Sequence, residues 1–436
     1  MRLRDLLEID FPLLFASLLL TVFGILFIYS SGLTSSGTVD SSEYTRQIVW
    51  ASAGFAAVLV LSLLNYRRVY DFSLYLYAGT ILLLLYTCFF GRMVSGARAW
   101  IGIGSFGIQP SEFAKITTIL FLARHLDSTR RSQNMVNRFA VSCVIVLIPM
   151  AIILMQPDFG TSLVFIPILL AMTFVGGISM RYIVFLGGCI ILTGIMMVFP
   201  LWQETILQGA YPAVMILVNG RFILISVLAL MLVSGVAYFG YTRYRKHYFY
   251  WICFAALILI LSLLASFVSH KVLKDYQIMR LIVFLDPNVD PRGSGWHIIQ
   301  SMTAIGSGGF MGKGFLQGTQ SHYRFLPQQS TDFIFSIFTE EWGFLGGLLI
   351  FALFLLICLR LVKLMKTTPN AFGAYISAGL AAIYSFHFLI NVGMAMGVMP
   401  ITGIPLLFMS YGGSALISAM IGVGLAMSIH IRRFRR

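Results

Sequence analysis

Asp290 lies in the run Asp290-Pro-Arg-Gly-Ser-Gly295, an acid set among proline, glycine and a basic residue. It sits in a long polar stretch, Lys271 to Thr331, which also holds Ala304-Ile-Gly-Ser-Gly-Gly309, Lys313 and Gly318-Thr-Gln320 and leads into Asp332. A long polar loop that carries charge, glycine and an acid and leads into a charged helix start is where chemistry would sit. Glycines let backbone approach a substrate closely, although glycine-dense runs also simply make turns. Basic residues here can meet an anionic group such as a phosphate.

A second set of polar residues falls inside apolar sequence. Glu112 and Lys115 are three apart and share one face of a helix, where they are expected to pair. Gln156-Pro-Asp158 separates two apolar runs, and His387 and Asn391 share a face of a third. A histidine in that setting reads first as a hydrogen-bonded packing residue. Two nucleotide-type motifs fail. Gly102-Ile-Gly-Ser-Phe-Gly107 has the GxGxxG spacing but no βαβ unit around it. Gly306 to Lys313 resembles a phosphate-binding loop with the wrong spacing, and Gly314 follows the lysine. No metal-ligand spacing, GxSxG or Cys/His pair suited to nucleophilic catalysis is present.

The elements that must position these residues are membrane helices. Of 436 residues, 58% are hydrophobic and 11% charged, and mean hydropathy is +0.89. That much apolar surface reads as an integral membrane protein. Twelve apolar segments approach spanning length: 11–30, 48–65, 70–90, 110–126, 139–156, 160–178, 182–200, 221–240, 249–269, 332–359, 371–395 and 406–430. The first is read as a retained helix rather than a cleaved signal, because no small-residue exit follows it. The five cysteines all lie in apolar runs and read as inert.

The net charge of +14 reads as topology rather than nucleic-acid binding. Arg67 and Arg68; Arg124, Arg130, Arg131 and Arg138; Arg181; Arg243, Arg245 and Lys246; Arg360, Lys363 and Lys366; and the C-terminal arginines all fall on one side of twelve alternating spans. This predicts cytoplasmic termini and an extracytoplasmic 271–331 loop. Arg92, Arg98, Lys271, Lys274, Arg280, Arg292, Lys313 and Arg324 then lie on the outer side, as solvated charge or as contacts to an anion.

These motifs, with Gly96-Ala-Arg-Ala-Trp100, Gln109-Pro-Ser-Glu-Phe-Ala-Lys115, Gln156-Pro-Asp-Phe-Gly-Thr161 and Asp275-Tyr-Gln277, resemble the SEDS family (shape, elongation, division and sporulation). So do Asp286-Pro-Asn-Val-Asp290, Thr331-Asp-Phe-Ile-Phe335, Glu340-Glu-Trp-Gly343, Gly403-Ile-Pro-Leu406 and Ser410-Tyr-Gly-Gly-Ser414, in family order over nearly the whole chain. Gly312-Lys-Gly314 followed by Gly318-Thr-Gln320 is similar to the elongation branch rather than the division branch. The resemblance implies a polytopic helical peptidoglycan glycosyltransferase that polymerises lipid II at the outer face of the cytoplasmic membrane. The growing glycan, on undecaprenyl pyrophosphate, would pass to the 4-hydroxyl of an incoming lipid II. The family's essential aspartate falls on Asp290, the candidate base, with Asp286 as a decoy acid. Arg98, Glu112, Lys115, Asp158, Arg292, Lys313, Gln320, Thr331 and Asp332 are candidates for substrate or pyrophosphate binding. A Mg2+ or Mn2+ ion could share the leaving-group charge, with no sequence pattern for it. A class B penicillin-binding protein and other elongation-complex membrane proteins are the implied partners.

Two departures stand out. The family usually has ten spans, so twelve implies an inserted helix pair, placed within about 201–265. Where the family has Leu-Pro-Glu-x-His, this chain has Leu326-Pro-Gln-Gln-Ser330, so no role of that glutamate or histidine carries over. A lipid II flippase and a non-catalytic scaffold of the cell-wall complex are the competing readings. No internal repeat of the transporter kind is visible.

Overall fold

The computed structural model describes residues 9–34, 38, 42–94, 96–103, 106–203, 217, 219–272, 275–291 and 293–433. The chain divides into two compact units, one of residues up to Ile178 and from His297 onward, the other Ser179–Trp296.

The first unit opens with α1 (Phe11–Ser31), α2 (Glu43–Leu63) and α3 (Tyr66–Phe90). Asp10 starts α1 by accepting from Leu13 N, with Pro12 in the first turn, where a missing N–H costs nothing. Three short strands follow, β1 (Arg92–Val94), β2 (Ala97–Ile103) and β3 (Phe106–Ile108), in an antiparallel sheet of order β1-β2-β3. The register places Met93 opposite Arg98 and Gly102 opposite Gly107. The GxGxxG-like run therefore spans a hairpin, and Trp100 covers Gly107 so closely that a Cβ there would lie 2.9 Å from the indole. This sheet is the departure from a wholly helical reading among the described residues.

Next come α4 (Pro110–Ser128), α5 (Met135–Met155), and a broken pair α6 (Phe159–Leu163) and α7 (Phe165–Val175). Pro167, whose ring crowds the carbonyl four residues back, accounts for the break. The unit ends with α14 (Ile334–Thr367), α15 (Ala371–Ala395) and α16 (Gly413–Ile431). Helix α4 packs against α3, α5, α7, α15 and α16, and α16 lies along α2. Central placement explains how α4 tolerates Glu112 and Lys115 in a membrane protein.

In the second unit, α8 (Met180–Trp202), α9 (Gly220–Tyr244) and α10 (His247–Val272) pack together, α9 and α10 as neighbours across a short turn. Ile223, Val227, Ile260 and Leu263 form its core, with Met196 and Phe267 against them. Helix α11 (Asp275–Leu285) and a 3-10 turn (Pro287–Val289) follow, and α12 (Ser294–Ser307) carries the chain from this unit into the first. Helix α13 (Thr319–His322) lies later in the polar stretch.

Each of the twelve segments expected to span contains helix, with shifted ends: the tenth begins at Ile334, so Asp332 precedes the helix, and the twelfth begins at Gly413, so residues 406–412 lie outside it. Among the described residues, ten helices are long and apolar enough to cross a membrane. The other two segments are α4, diluted by its charges, and the broken α6–α7. The chain is a polytopic helical membrane protein. Helices α9 and α10 occupy the interval expected for the inserted pair, of which residues 204–216 and 218 lie outside the described residues.

Candidate functional site

Asp290 closes the 3-10 turn of the second unit, and its half-buried carboxylate lies over Gly293. A Cβ at Gly293 would fall on the carboxylate, with Oδ1 at 2.7 Å. A Cβ at Gly295 would strike the carbonyls of Pro287 and Asp290. The Asp290 carbonyl accepts from Gly293 N at 3.3 Å and Gly295 N at 3.0 Å, which fixes the turn that aims the acid. Asp286 Oδ1 accepts from Asn288 N at 2.9 Å and Asn288 Nδ2 at 3.0 Å. Arg292 lies outside the described residues.

In the first unit, Lys115 Nζ meets Glu112 at 2.8 Å, with both side chains nearly inaccessible. Lys115 Nζ also lies 3.1 Å from His387 Nε2, and His387 Nδ1 lies 2.9 Å from the Pro405 carbonyl, so that nitrogen carries the proton. Nε2 is then an acceptor toward the ammonium. Asn391 Nδ2 donates to the carbonyls of Asp332 and Ile404, both at 2.9 Å. Ser418 Oγ donates to the Glu112 carbonyl at 2.8 Å. The face of α15 read as packing thus ties α4 to the 402–405 segment.

Asp158 accepts from Gln109 Nε2 at 2.8 Å and from Thr161 N and Oγ1 at 3.1 and 2.8 Å, capping α6. Burial raises its carboxyl above the usual range, against the opposing pull of the Thr161 hydrogen bonds. Arg98 is exposed on β2. Thr331 Oγ1 donates to Gln328 Oε1 at 3.1 Å.

The glycine-rich run does something the sequence did not reveal. Helix α14 is broken at Gly343 (φ 63°). The chain at 309–314 inserts there. Lys313 N and Gly314 N donate to the carbonyls of Glu340 and Glu341 at 3.1 and 2.9 Å. In return, Phe344 N and Leu345 N donate to the carbonyls of Gly309 and Phe310 at 2.9 and 3.2 Å. These four bonds pair the Glu340 and Glu341 carbonyls and the Phe344 and Leu345 N–H groups at the break, the kind of compensation a break inside a membrane helix requires. Gly312 (φ 83°) lies so close that a Cβ would fall on the Glu341 carbonyl.

Glu340 and Glu341 are fully buried beside this break. Glu340 Oε1 accepts from Lys313 Nζ at 2.7 Å, Thr319 N at 2.8 Å, and Thr319 Oγ1 and Gln320 N at 3.0 Å. Glu341 accepts from Ser30 Oγ at the end of α1 and from Leu316 N at 3.0 Å. Lys313 and Gln320 are thereby brought together around Glu340, a residue singled out only as part of a motif. Adjacent acids in an otherwise apolar run were the available signal, since uncompensated burial of either would be costly.

The fold and these clusters define a polytopic membrane protein with buried polar clusters in its first unit and an acid-bearing turn in its second. The chain matches the FTSW_RODA_SPOVE family, described as cell cycle protein, over residues 11–210 and 226–434, and it belongs to that family. It is 51% identical over 433 residues to peptidoglycan glycosyltransferase RodA of Treponema pallidum, covering 99% of this chain and 100% of that one. It is 32% identical over 429 residues to peptidoglycan glycosyltransferase MrdB of Escherichia coli K12, covering 98% and 95%. Among solved structures, one titled "Structural coordination of polymerization and crosslinking by a peptidoglycan synthase complex" is similar at TM-score 0.67 and 27% identity, covering 98% of this chain and 99% of that one. The rod shape determining protein RodA of Thermus thermophilus has a similar fold, at TM-score 0.61 and 23% identity, covering 98% of each chain.

Proposed function

We propose that this protein is a peptidoglycan glycosyltransferase that polymerises lipid II at the outer face of the cytoplasmic membrane, for cell elongation and rod shape. The observation that carries this is the full-length similarity, at 51% identity, to a relative named for that activity. The local geometry of Asp290 supports a role as general base, because Gly293 leaves clear the space in which its carboxylate rests, and Gly295 lets the turn close on the Pro287 and Asp290 carbonyls. It takes the proton of the acceptor 4-hydroxyl as that oxygen attacks the anomeric carbon of the growing glycan. The bond from that carbon to undecaprenyl pyrophosphate breaks, and the pyrophosphate carries away the electron pair. A well-placed base contributes about 10²–10⁴-fold.

The leaving pyrophosphate needs cationic donors. Arg98 and Lys313 are accessible cations in the first unit, whereas Lys115 is engaged by Glu112 and His387. No cluster of three or more metal-binding side chains occurs among the described residues. A Mg2+ or Mn2+ ion would therefore draw most of its ligands from phosphate and water. The partner reading is a class B penicillin-binding protein that cross-links the product, with other elongation-complex membrane proteins; similarity to a member of a peptidoglycan synthase complex supports it.

The test is lipid II polymerisation by the purified protein with a penicillin-binding partner whose active-site serine is disabled. Wild type is expected to give glycan ladders, and Asp290→Asn none at equal folded yield. Near-wild-type rate in the variant would remove the base assignment. The buried Glu112–Lys115–His387 chain would also suit lipid translocation. Absence of ladders from wild type, with lipid II moved across vesicles, would favour that flippase reading; absence of both would favour a scaffold.

A further inference from the structure

We infer that Glu340 is a positioning residue for the polymerase reaction: it holds the Lys313 ammonium at the surface to receive the diphosphate of the lipid-linked substrate. This rests on the proposed function above. The Glu340 side chain is 0% exposed and Lys313 is 26% exposed, so the pair runs from the interior to the surface. Glu340 itself cannot touch a substrate; it acts through what it holds.

The geometry separates this from a simple staple. Glu340 Oε1 already accepts two backbone N–H groups and the Thr319 hydroxyl, which compensate much of its burial without the lysine. Lys313 has the opposite need. Its ammonium carries three donors on a flexible stem. One goes to Glu340 Oε1 and one to Thr319 Oγ1, each at 2.7 Å. Among the described residues the third is left for a ligand. The backbone of Lys313 is also fixed, because its N–H donates to the Glu340 carbonyl at 3.1 Å. One residue thus anchors both ends of the lysine. The loop is further tied by Glu341, through Leu316 N and the Ser30 hydroxyl. An oriented ammonium on a fixed backbone is preorganised for an anion, so little side-chain entropy is lost when it binds.

The ligand chemistry follows from when the charge exists. The diphosphate is anionic before the sugar is transferred, so an ammonium contact is made in the ground state as well as in the transition state. Contacts of that kind act mainly on KM.

The experiment measures glycan polymerisation at varied lipid II concentration for the full-length wild type, Glu340→Gln, Lys313→Met and the double variant, with size-exclusion profiles of each. The amide of the Glu340→Gln variant would keep an oxygen acceptor for Thr319 N and Gln320 N but lose the ion pair. Each single variant is expected to raise KM about tenfold with kcat within about twofold, and the double variant to match either single one. Multiplying effects in the double variant would assign Glu340 a role independent of Lys313 and overturn the inference. So would normal KM in Lys313→Met, loss confined to kcat, or an aggregated Glu340→Gln beside a well-behaved Lys313→Met. Wild-type protein that makes no glycan would instead overturn the functional reading on which the inference rests.

Discussion

Asp286 and Asp290 are four residues apart, each beside a proline, and only their surroundings tell them apart. Asp286 accepts from Asn288, and the Asp290 carboxylate occupies the space that a Cβ on Gly293 would need. Gly293→Ala should therefore act as a displaced-acid variant. The new methyl would overlap the Asp290 carboxylate and push it from its place. Misplacement of a catalytic group costs on the order of 10²-fold in rate. A loss of that size in glycan synthesis, with unchanged thermal stability and lipid II KM, is the expected result; wild-type kcat would show that the position of the carboxylate does not matter. At this scale the sequence was informative about type and poor about partnership. Glu112 and Lys115 were legible as a pair because three-residue spacing on a helix brings them together. Lys313 and Glu340 were not, because they are twenty-seven positions apart and meet only where the 309–314 segment inserts beside the broken helix.

Helix α14 shows why an element can be recognised yet misread. Its apolar length announced a spanning helix, and nothing periodic in the sequence announced that Gly343 interrupts it. The interruption is stable because residues 309–314 supply the missing hydrogen-bond partners, an arrangement formed only by tertiary contact. The two readings of the glycines in this run, close approach to substrate and turn-making, leave out the use found here: close approach to a broken helix. Substitution along the run separates these roles. Gly306 lies within α12 with open space around it, so Gly306→Ala should stabilise by about 0.5–1 kcal/mol through helix propensity. Gly312 needs a left-handed backbone and has no room, so Gly312→Ala should cost more than the roughly 1–2 kcal/mol of the conformation alone. Thermal unfolding in detergent should place Gly306→Ala above wild type and Gly312→Ala well below it. Equal midpoints would mean that the inserted loop contributes nothing to the fold.

For the whole molecule, the apolar helices were legible because hydrophobic length is a strong signal, although ten rather than twelve reach spanning length and composition among the described residues; the two-unit division was not legible, since it depends on which helices touch. The small sheet before α4 was also invisible, being set by pairing across a few residues. The orientation follows from charge bias and parity together. Between Ser132, in the basic turn after α4, and Tyr323, in the polar stretch, lie α5, the α6–α7 pair, α8, α9 and α10. That is an odd number of crossings, and removing a helix pair would leave it odd. Helices α11 and α12, at 11 and 14 residues, are too short to cross. With the α6–α7 pair counted as one crossing, the two positions are expected on opposite sides. Charge bias at Arg130 and Arg131 then predicts Ser132 in the cytoplasm and Tyr323 outside. In a cysteine-free background, Tyr323→Cys should react with a membrane-impermeant maleimide in intact spheroplasts. Ser132→Cys should react only after permeabilisation. The reverse pattern would put the Asp290 loop on the cytoplasmic side, away from any substrate at the outer face. Labelling of both in intact spheroplasts would break the parity itself and require that one of the five crossings be withdrawn.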